Sequence, residues 1–319
     1  MSTLPSLLTA LWLGVVPGLT LENTNILGYD ETRHWTDYNR VRADLALGHD
    51  RYDNLSARLI VDNESRYVER PAGLTNKTLI HRGYLQYRGA THLWTIGRQR
   101  VPLGVGRVWN PIDLFDPIDF QAREPNERRG IEAVHYEYAV ARLANLDLTA
   151  AHGKMAARLK GYLEVADLAL VAVWDDDLDR DIIGWELQGE IGRTGIEVRS
   201  EGGSFHDQLA DRRHTELIVG AEYGLANSLT ILGEYKYNDD SQLDYGALQL
   251  SYQFSMLWSG QVLAVLNLDD HGSFISPVVS YSAADDMTVS GGALIYHGGE
   301  EDEFGAQADQ LFVRLFIHF

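Results

Sequence analysis

The sequence predicts an all-β protein, a transmembrane antiparallel up-and-down β-barrel of about 18 strands. Segments of about 8 to 12 residues alternate apolar and polar side chains, which is the period of a half-buried strand. The joins between them are alternately short and long. The chain also stops on such a segment, residues 311–319, LFVRLFIHF. A terminal strand without a tail suits a sheet that closes on itself, as a barrel requires.

The strand count follows from segments and joins taken together. The clearest strands are residues 55–62, 183–191, 217–225, 229–237, 248–254 and 311–319. Short joins at 49–54, 89–91, 192–195, 226–228 and 283–286 are expected to be periplasmic turns. Longer joins at 29–34, 65–78, 175–181, 202–214, 238–245 and 298–309 are expected to be extracellular loops. This pattern predicts 18 strands starting near Leu19, whereas merging residues 157–163 with 168–174 and dropping the first strand would give 16.

Composition excludes several classes of protein. None of the 319 residues is Cys, so the chain has no disulfide, no thiolate metal site and no attachment point for a c-type haem. We therefore expect no cofactor. The formal net charge of −19 argues against nucleic acid as a partner, because binding to phosphates requires an excess of Lys and Arg.

Residues 1–18 include a short apolar run that resembles the core of a secretory signal, although residues 1–21 contain no Lys or Arg. The run is too short to span a bilayer as a helix. We expect this segment either to be cleaved or to belong to the mature chain. Residues 19–319 are expected to form a single barrel domain.

The polar face of each strand should line the lumen, where charges set selectivity. A basic strip is predicted on strands 2 to 4, and a mainly acidic wall on strands 10 to 13. A field between them would orient dipolar solutes, whereas charges that pair with neighbouring strands would only stabilise the sheet. The basic strip comprises Arg40, Arg42, Arg58, Arg82 and Arg88, and the acidic wall Glu186, Glu190, Glu197, Glu216, Glu222 and Glu234.

Residues 101–130 break the strand pattern and contain four of the eight prolines of the chain. The aromatic and aliphatic residues of this segment would gain by burial, so it is expected to fold into the lumen and narrow it. The alternative is an outer loop that caps the rim or packs on a neighbouring subunit. The side chains predicted at the constriction are Arg98, Arg100, Arg107, Asp113, Asp116, Asp119 and Arg123.

The run GRQRVPLGVGRVWNPIDLFDP at residues 97–117, followed by ERRG at 127–130, resembles the porin-like outer-membrane barrels of Gram-negative bacteria, a group that includes alginate-export-type channels. The resemblance implies location in the bacterial outer membrane, contact with lipid and lipopolysaccharide, and passive transport of small hydrophilic or charged solutes. It does not identify the solute.

No nucleophile elbow, HExxH or P-loop pattern occurs, so no catalytic or metal-binding residue is predicted, and we expect no enzyme. Two alternatives to an open channel remain. The barrel could be the sheath of an electron conduit around a periplasmic or extracellular cytochrome that brings its own haem. It could also be the scaffold of an enzyme or adhesin.

Overall fold

The computed structural model describes residues 15–29, 33–48, 54–69, 71–122, 124–125 and 127–319. In these residues the chain forms 18 antiparallel strands: β1 (Val15–Tyr29), β2 (Arg33–Gly48), β3 (Leu55–Val68), β4 (Gly73–Arg88), β5 (His92–Gln99), β6 (Ile131–Ala141), β7 (Ala144–Ala151), β8 (Lys154–Tyr162), β9 (Ala166–Asp175), β10 (Arg180–Glu190), β11 (Ile196–Asp207), β12 (Arg212–Gly224), β13 (Leu229–Asn238), β14 (Leu243–Gln253), β15 (Trp258–Asn267), β16 (Ser273–Ala284), β17 (Met287–His297) and β18 (Asp309–His318).

The sheet closes into a barrel because β1 pairs with β18 as well as with β2. Leu21, for example, lies between Ile317 on one side and Val41 on the other. Beyond β18, the amide of Phe319 donates to the carbonyl of Leu19 at 2.8 Å. The predicted all-β class, the closure and the count of 18 are confirmed. In the described part of the chain, no helix is sufficiently long and apolar to cross a bilayer.

Several strands are longer than the sequence pattern indicated. β3 runs to Val68 and β4 begins at Gly73, so most of the predicted 65–78 loop is strand. The polar outward residues of these two strands hid the alternation. The 202–214 loop is likewise mostly strand, since β11 ends at Asp207 and β12 begins at Arg212.

The N-terminal region is described only in part. β1 begins at Val15, so residues 15–18 of the predicted signal-like segment pair with β2 in the sheet. Residues 1–14 lie outside the described residues. The predicted separation of residues 157–163 from 168–174 is confirmed, because β8 and β9 are distinct neighbouring strands.

The outer surface is mainly apolar and the inner surface has two zones. On β9 the outward residues Leu170 and Trp174 are exposed, while the inward residues Val171 and Val173 are buried. We call the end near the Leu19–Phe319 contact the terminal end, and the opposite end, where β5 leads into residues 101–130, the loop end. The inner wall is apolar toward the loop end, with the buried Val173, Ile182, Phe205, Ile218 and Phe274. Toward the terminal end it carries polar residues such as Thr230, Gln253, Ser259 and Ser280.

Candidate functional site: a loop folded into the barrel

Residues 101–130, called here the inner loop, contain no strand in their described part and lie inside the barrel. Val101, Leu103, Ile112 and Phe115 pack into a buried cluster with the inner faces of β6 and β8 to β11. Val108 and Trp109 pack into a second cluster with β1 and with β12 to β18. The inner loop therefore touches opposite parts of the wall, and its contacts explain why that half of the wall is apolar.

Three wall carboxylates hold the first part of the inner loop. We call Glu186 of β10, Glu201 of β11 and Glu234 of β13 the carboxylate row. They accept hydrogen bonds from six successive backbone amides, residues 104–109. Glu186 takes the amide of residue 104 at 2.8 Å and Glu201 those of 105 and 106, the latter at 2.8 Å. Glu234 takes those of 107, 108 and 109 at 2.9, 3.0 and 2.8 Å.

The buried carboxylates and the buried loop amides each need the other as a hydrogen-bond partner. A non-strand segment buried in a barrel has amides with no sheet partner, and an unsatisfied buried amide costs roughly 1–3 kcal/mol. Glu186 and Glu201 are only 3% and 0% exposed, and a buried carboxylate requires donors. Glycine permits the close approach. Gly104 has φ 83°, and a side chain there would collide with the Glu201 carboxylate.

The later part of the inner loop is held by cations on a different part of the wall. Glu124 contacts Arg40 at 3.2 Å and Arg314 at 2.5 Å, and Glu127 contacts Arg42 at 2.6 Å. Acidic side chains of the loop thus meet basic side chains of the wall. Burial tends to raise the pKa of Glu127, but the hydrogen bond from Arg42 holds that pKa below its ordinary value.

A buried turn lies between these two attachments. Asp113 is 1% exposed and accepts hydrogen bonds from Asn110 Nδ2 at 3.0 Å and from the amides of Phe115 and Asp116 at 3.1 and 3.0 Å. Burial raises the pKa of Asp113 to about 6 and also raises that of Asp116. Arg128 lies 3.6 Å from the Asp113 carboxylate and also donates a hydrogen bond to the carbonyl of Asp116, so it contacts both residues of this turn.

The predicted basic strip faces the lumen but is largely paired. Arg40 also contacts Glu22 at 2.6 Å, Arg42 contacts Asp62 at 2.7 Å, and Arg58 contacts Asp44 at 2.6 Å. Arg82 instead donates to the carbonyl of Arg128 at 3.3 Å. Arg88 is exposed at the terminal end of β4. The alternative of cross-strand pairing therefore describes Arg40, Arg42 and Arg58.

The predicted acidic wall also faces inward, and its residues fall into groups with different partners. Glu186 and Glu234 belong to the carboxylate row. Glu197 and Glu222 bind the buried Arg199 at 2.5 and 2.8 Å, with Arg107 of the inner loop about 4 Å from both. Two others lie away from the loop: Glu216 is 3.6 Å from Lys236, and Glu190 accepts from the amide of Gly195.

Sequence reasoning missed Glu201, the central member of the row. It shares a strand face with Glu197 and Arg199, and this two-residue spacing was the available signal. The two glycines that follow it indicated the start of a loop, but β11 continues through them to Asp207.

The predicted constriction residues are not all in one place. Arg98 was wrongly assigned, because it lies in β5 on the outer face and pairs with Glu132 at 2.8 Å. Its parity with the outward Trp94 and Ile96 explains this position. Arg123 lies outside the described residues. The described inner-loop members are Arg107, Asp113, Asp116 and Asp119, and Arg100 lies between β5 and the loop.

Cavities remain between the inner loop and the wall, and two of them differ in the charge of their lining. One of about 290 Å³ has the cationic side chains Arg82, Arg100, Arg158 and Lys160 in its lining, together with Tyr84, His135, Glu137, Asp147 and Tyr162. We call it the cationic cavity. The other, about 470 Å³, is lined mainly by uncharged polar groups: Ser228, Thr230, Ser251, Gln253, Ser259, Gln261 and Ser280. Among the described residues, no group of three His, Asp or Glu side chains is placed to hold a metal ion.

We predict that Glu234→Gln weakens the anchoring of the inner loop. Glutamine turns an NH₂ group toward backbone donors and removes the negative charge, so the free energy of unfolding should fall by about 2 kcal/mol or more. Denaturant unfolding of the barrel in lipid vesicles measures this. Glu216→Gln is the matched control, because Glu216 contacts Lys236 and not the loop. Equal losses in the two variants would contradict the proposed anchoring.

Comparison with known proteins finds similarity only at the level of structure. No family model matches the chain, and no curated protein matches it in sequence. Acinetobacter baumannii OccAB4 has a TM-score of 0.64 at 11% identity, with 96% of this chain and 98% of that chain covered. The outer membrane protein OprD of Pseudomonas aeruginosa has a TM-score of 0.64 at 7% identity, covering 96% and 93%. A Rhodopseudomonas blastica porin, a triple mutant, has a TM-score of 0.53 at 12% identity, covering 96% and 100%. The chain has the fold of bacterial outer-membrane porins.

Proposed function

We propose that this chain is a bacterial outer-membrane porin, a channel for passive diffusion of small hydrophilic or charged solutes. The observation that carries the proposal is a closed barrel with an apolar exterior, narrowed by its own inner loop, in which the remaining internal space is polar. Diffusion through such a channel involves no chemical step.

Aromatic residues on the outer surface support a membrane setting. Near the terminal end, Trp258 lies 4.6 Å from Tyr281, and near the loop end Trp35 lies 5.7 Å from Tyr67, measured between ring centres. Amphipathic rings at both rims of an apolar band favour the two headgroup layers of a bilayer. Lipid and lipopolysaccharide are the surroundings that this surface fits.

The charge of the cationic cavity supports a preference among solutes. Arg158 is paired with Asp147 at 2.7 Å, but no carboxylate lies within ion-pairing distance of Arg82 or Arg100 among the described contacts. Their charges therefore act on whatever enters this cavity. Arg40, Arg42 and Arg58 are neutralised by partners, whereas Arg82 and Arg100 line the cationic cavity, where we expect their charges to favour anions.

A sheath around a cytochrome is less well supported than a channel. The inner loop occupies the space that an inserted partner would need, and its carboxylate and cation contacts fasten it to both sides of the wall. Solutes small enough for the cavities beside the inner loop fit this interior better than a protein.

We expect the purified barrel to give stable conductance steps in a planar bilayer. Replacing residues 110–120 with a Gly-Ser segment of equal length should enlarge those steps, because the replacement removes Ile112 and Phe115, two of the apolar anchors of the inner loop. A barrel that gives no stable conductance would contradict the channel function. Unchanged steps in the replaced variant would contradict a constriction by these residues.

We also expect the double change of Arg82 and Arg100 to Ala to shift selectivity toward cations. A unit charge about 10 Å from an ion contributes ~0.4 kcal/mol in water, so losing two should change the anion-to-cation permeability ratio several-fold at low salt. The reversal potential in a salt gradient measures this ratio. Arg98→Ala, which removes an arginine from the outer face, should leave it unchanged. An equal shift in both variants would contradict the assignment.

A further inference from the structure

One sector of the inner wall is polar without being charged. β15, β16 and β17 contain no Asp, Glu, Lys or Arg, although these four residue types make up 23% of the chain. Toward the terminal end, the inward positions of these strands and of β13 and β14 carry mainly hydroxyl and amide side chains. The lining of this sector therefore differs in kind from that of the cationic cavity.

We call the cavity of about 470 Å³ beside this sector the hydroxyl cavity. Its hydroxyl and amide groups belong to Ser228, Thr230, Ser251, Gln253, Ser259, Gln261 and Ser280. The ionic side chain in its lining, Arg314, is paired with Glu124 of the inner loop at 2.5 Å. The cavity thus offers hydrogen bonds to an entering solute, whereas the charge of Arg314 is already matched. It shares no lining residue with the cationic cavity.

Several of these polar groups are available to a solute. Among the described hydrogen bonds, none uses the hydroxyls of Thr230 and Ser259 or the side-chain amide of Gln261, and none of the three residues is buried. Gln253 donates from Nε2 to the carbonyl of Trp258 at 3.2 Å, which leaves its Oε1 as an acceptor. Accessible groups of this kind bind water until a solute replaces it.

The hydroxyl cavity is closed toward the loop end. On the same strands, the inward residues nearer to that end include Ala247, Val265 and Phe274, which are 8%, 1% and 0% exposed. They belong to one buried cluster with Trp109 of the inner loop and with Phe304, which lies between β17 and β18. A solute therefore reaches this cavity from the terminal end.

The lining favours one class of solute. An ion would exchange its hydration shell for groups that carry no opposite charge, and an apolar solute would leave hydroxyls and amides without partners. A neutral solute with hydroxyl groups on all sides can replace the water, because Ser, Thr and Gln side chains both donate and accept hydrogen bonds. The volume of the hydroxyl cavity also lies within the range of small-molecule sites, roughly 300–1,000 Å³.

We propose that the hydroxyl cavity is a binding site for neutral saccharides, entered from the terminal end of the barrel. The inference rests on the proposed channel, in which small hydrophilic solutes reach the lumen and the terminal end, with its short turns, faces the periplasm. The two cavities then separate solutes by charge, since anions are expected in the cationic cavity and neutral polyols bind in the hydroxyl cavity.

Protection of a single cysteine from a maleimide tests the site, because the chain has no Cys of its own. The purified barrel carries Ser259→Cys in the hydroxyl cavity or, as the control, Asn145→Cys in the cationic cavity. Saturating glucose should slow labelling of the first cysteine several-fold and leave the second unchanged. Gluconate, a polyol of similar size that carries a carboxylate, should not protect the first. No protection by glucose, equal protection of both cysteines, or equal protection by gluconate would overturn the proposal.

A double variant tests the groups that bind the saccharide. Thr230→Val and Gln261→Leu remove a hydroxyl and an amide at nearly unchanged volume, and neither group has a described partner in the protein, so the barrel should still fold. In this background glucose should no longer protect Ser259→Cys. Gln86→Leu is the matched control, because Gln86 lines the cationic cavity and protection should persist. Full protection in the double variant would contradict binding by Thr230 and Gln261.

The direction of entry has a test of its own. In intact bacteria, a maleimide too large to pass the inner loop should leave Ser259→Cys unlabelled, and should label it once the outer membrane is permeabilised. Leu209→Cys is the control, because Leu209 is 82% exposed between β11 and β12 at the loop end and should be labelled in both cases. Equal labelling of the two cysteines in intact cells would overturn entry from the terminal end.

Labelling also separates this inference from the proposed function, since it requires no ion current. Glucose protection in a barrel that does not conduct would contradict the channel and leave the saccharide site standing. A conducting barrel without glucose protection would do the reverse.

Discussion

The hydrogen bonds between the carboxylate row and six successive loop amides are the interaction on which the interior of this barrel depends. The amides belong to a segment that cannot pair as strand, and the carboxylates belong to a wall that would otherwise line water. Burying either group alone would be unfavourable. Together they let a proline-rich segment lie inside a barrel with its backbone satisfied.

The rest of the interior follows from that attachment. Once residues 104–109 are held on one side and Glu124 and Glu127 on the other, the apolar side chains between them are carried across the lumen. They require apolar partners, which the loop-end half of the wall supplies through residues such as Phe205, Ile218 and Phe274. The terminal-end half of the wall receives no such apolar side chains and stays polar. The inner loop thereby narrows the lumen of a wide barrel, and the space that remains is small and unevenly charged.

Local sequence pattern predicted much of this fold, because strand alternation, turn residues and proline are local signals. The terminal strand, the β8–β9 division and the exceptional character of residues 101–130 could all be recognised. Contacts across the lumen could not be recognised, since no local sequence pattern relates Glu201 to the amides of residues 105 and 106. The alternation of apolar and polar residues also failed to reveal a strand wherever both of its faces had the same polarity. Polar outward residues such as Asn63 and Asn76 made parts of β3 and β4 look like a loop. Arg98 was assigned to the constriction because of its charge, although it shares the strand face of the outward Trp94 and Ile96.

Hydrogen exchange of the backbone amides of residues 104–109 in the lipid-embedded barrel tests the central claim most directly. If the carboxylate row holds them, these amides should exchange slowly, at rates comparable to those of β11, although they belong to no strand. Exchange at the rate of an unprotected loop would contradict the account, since the inner loop would then not be fastened to the wall by these contacts.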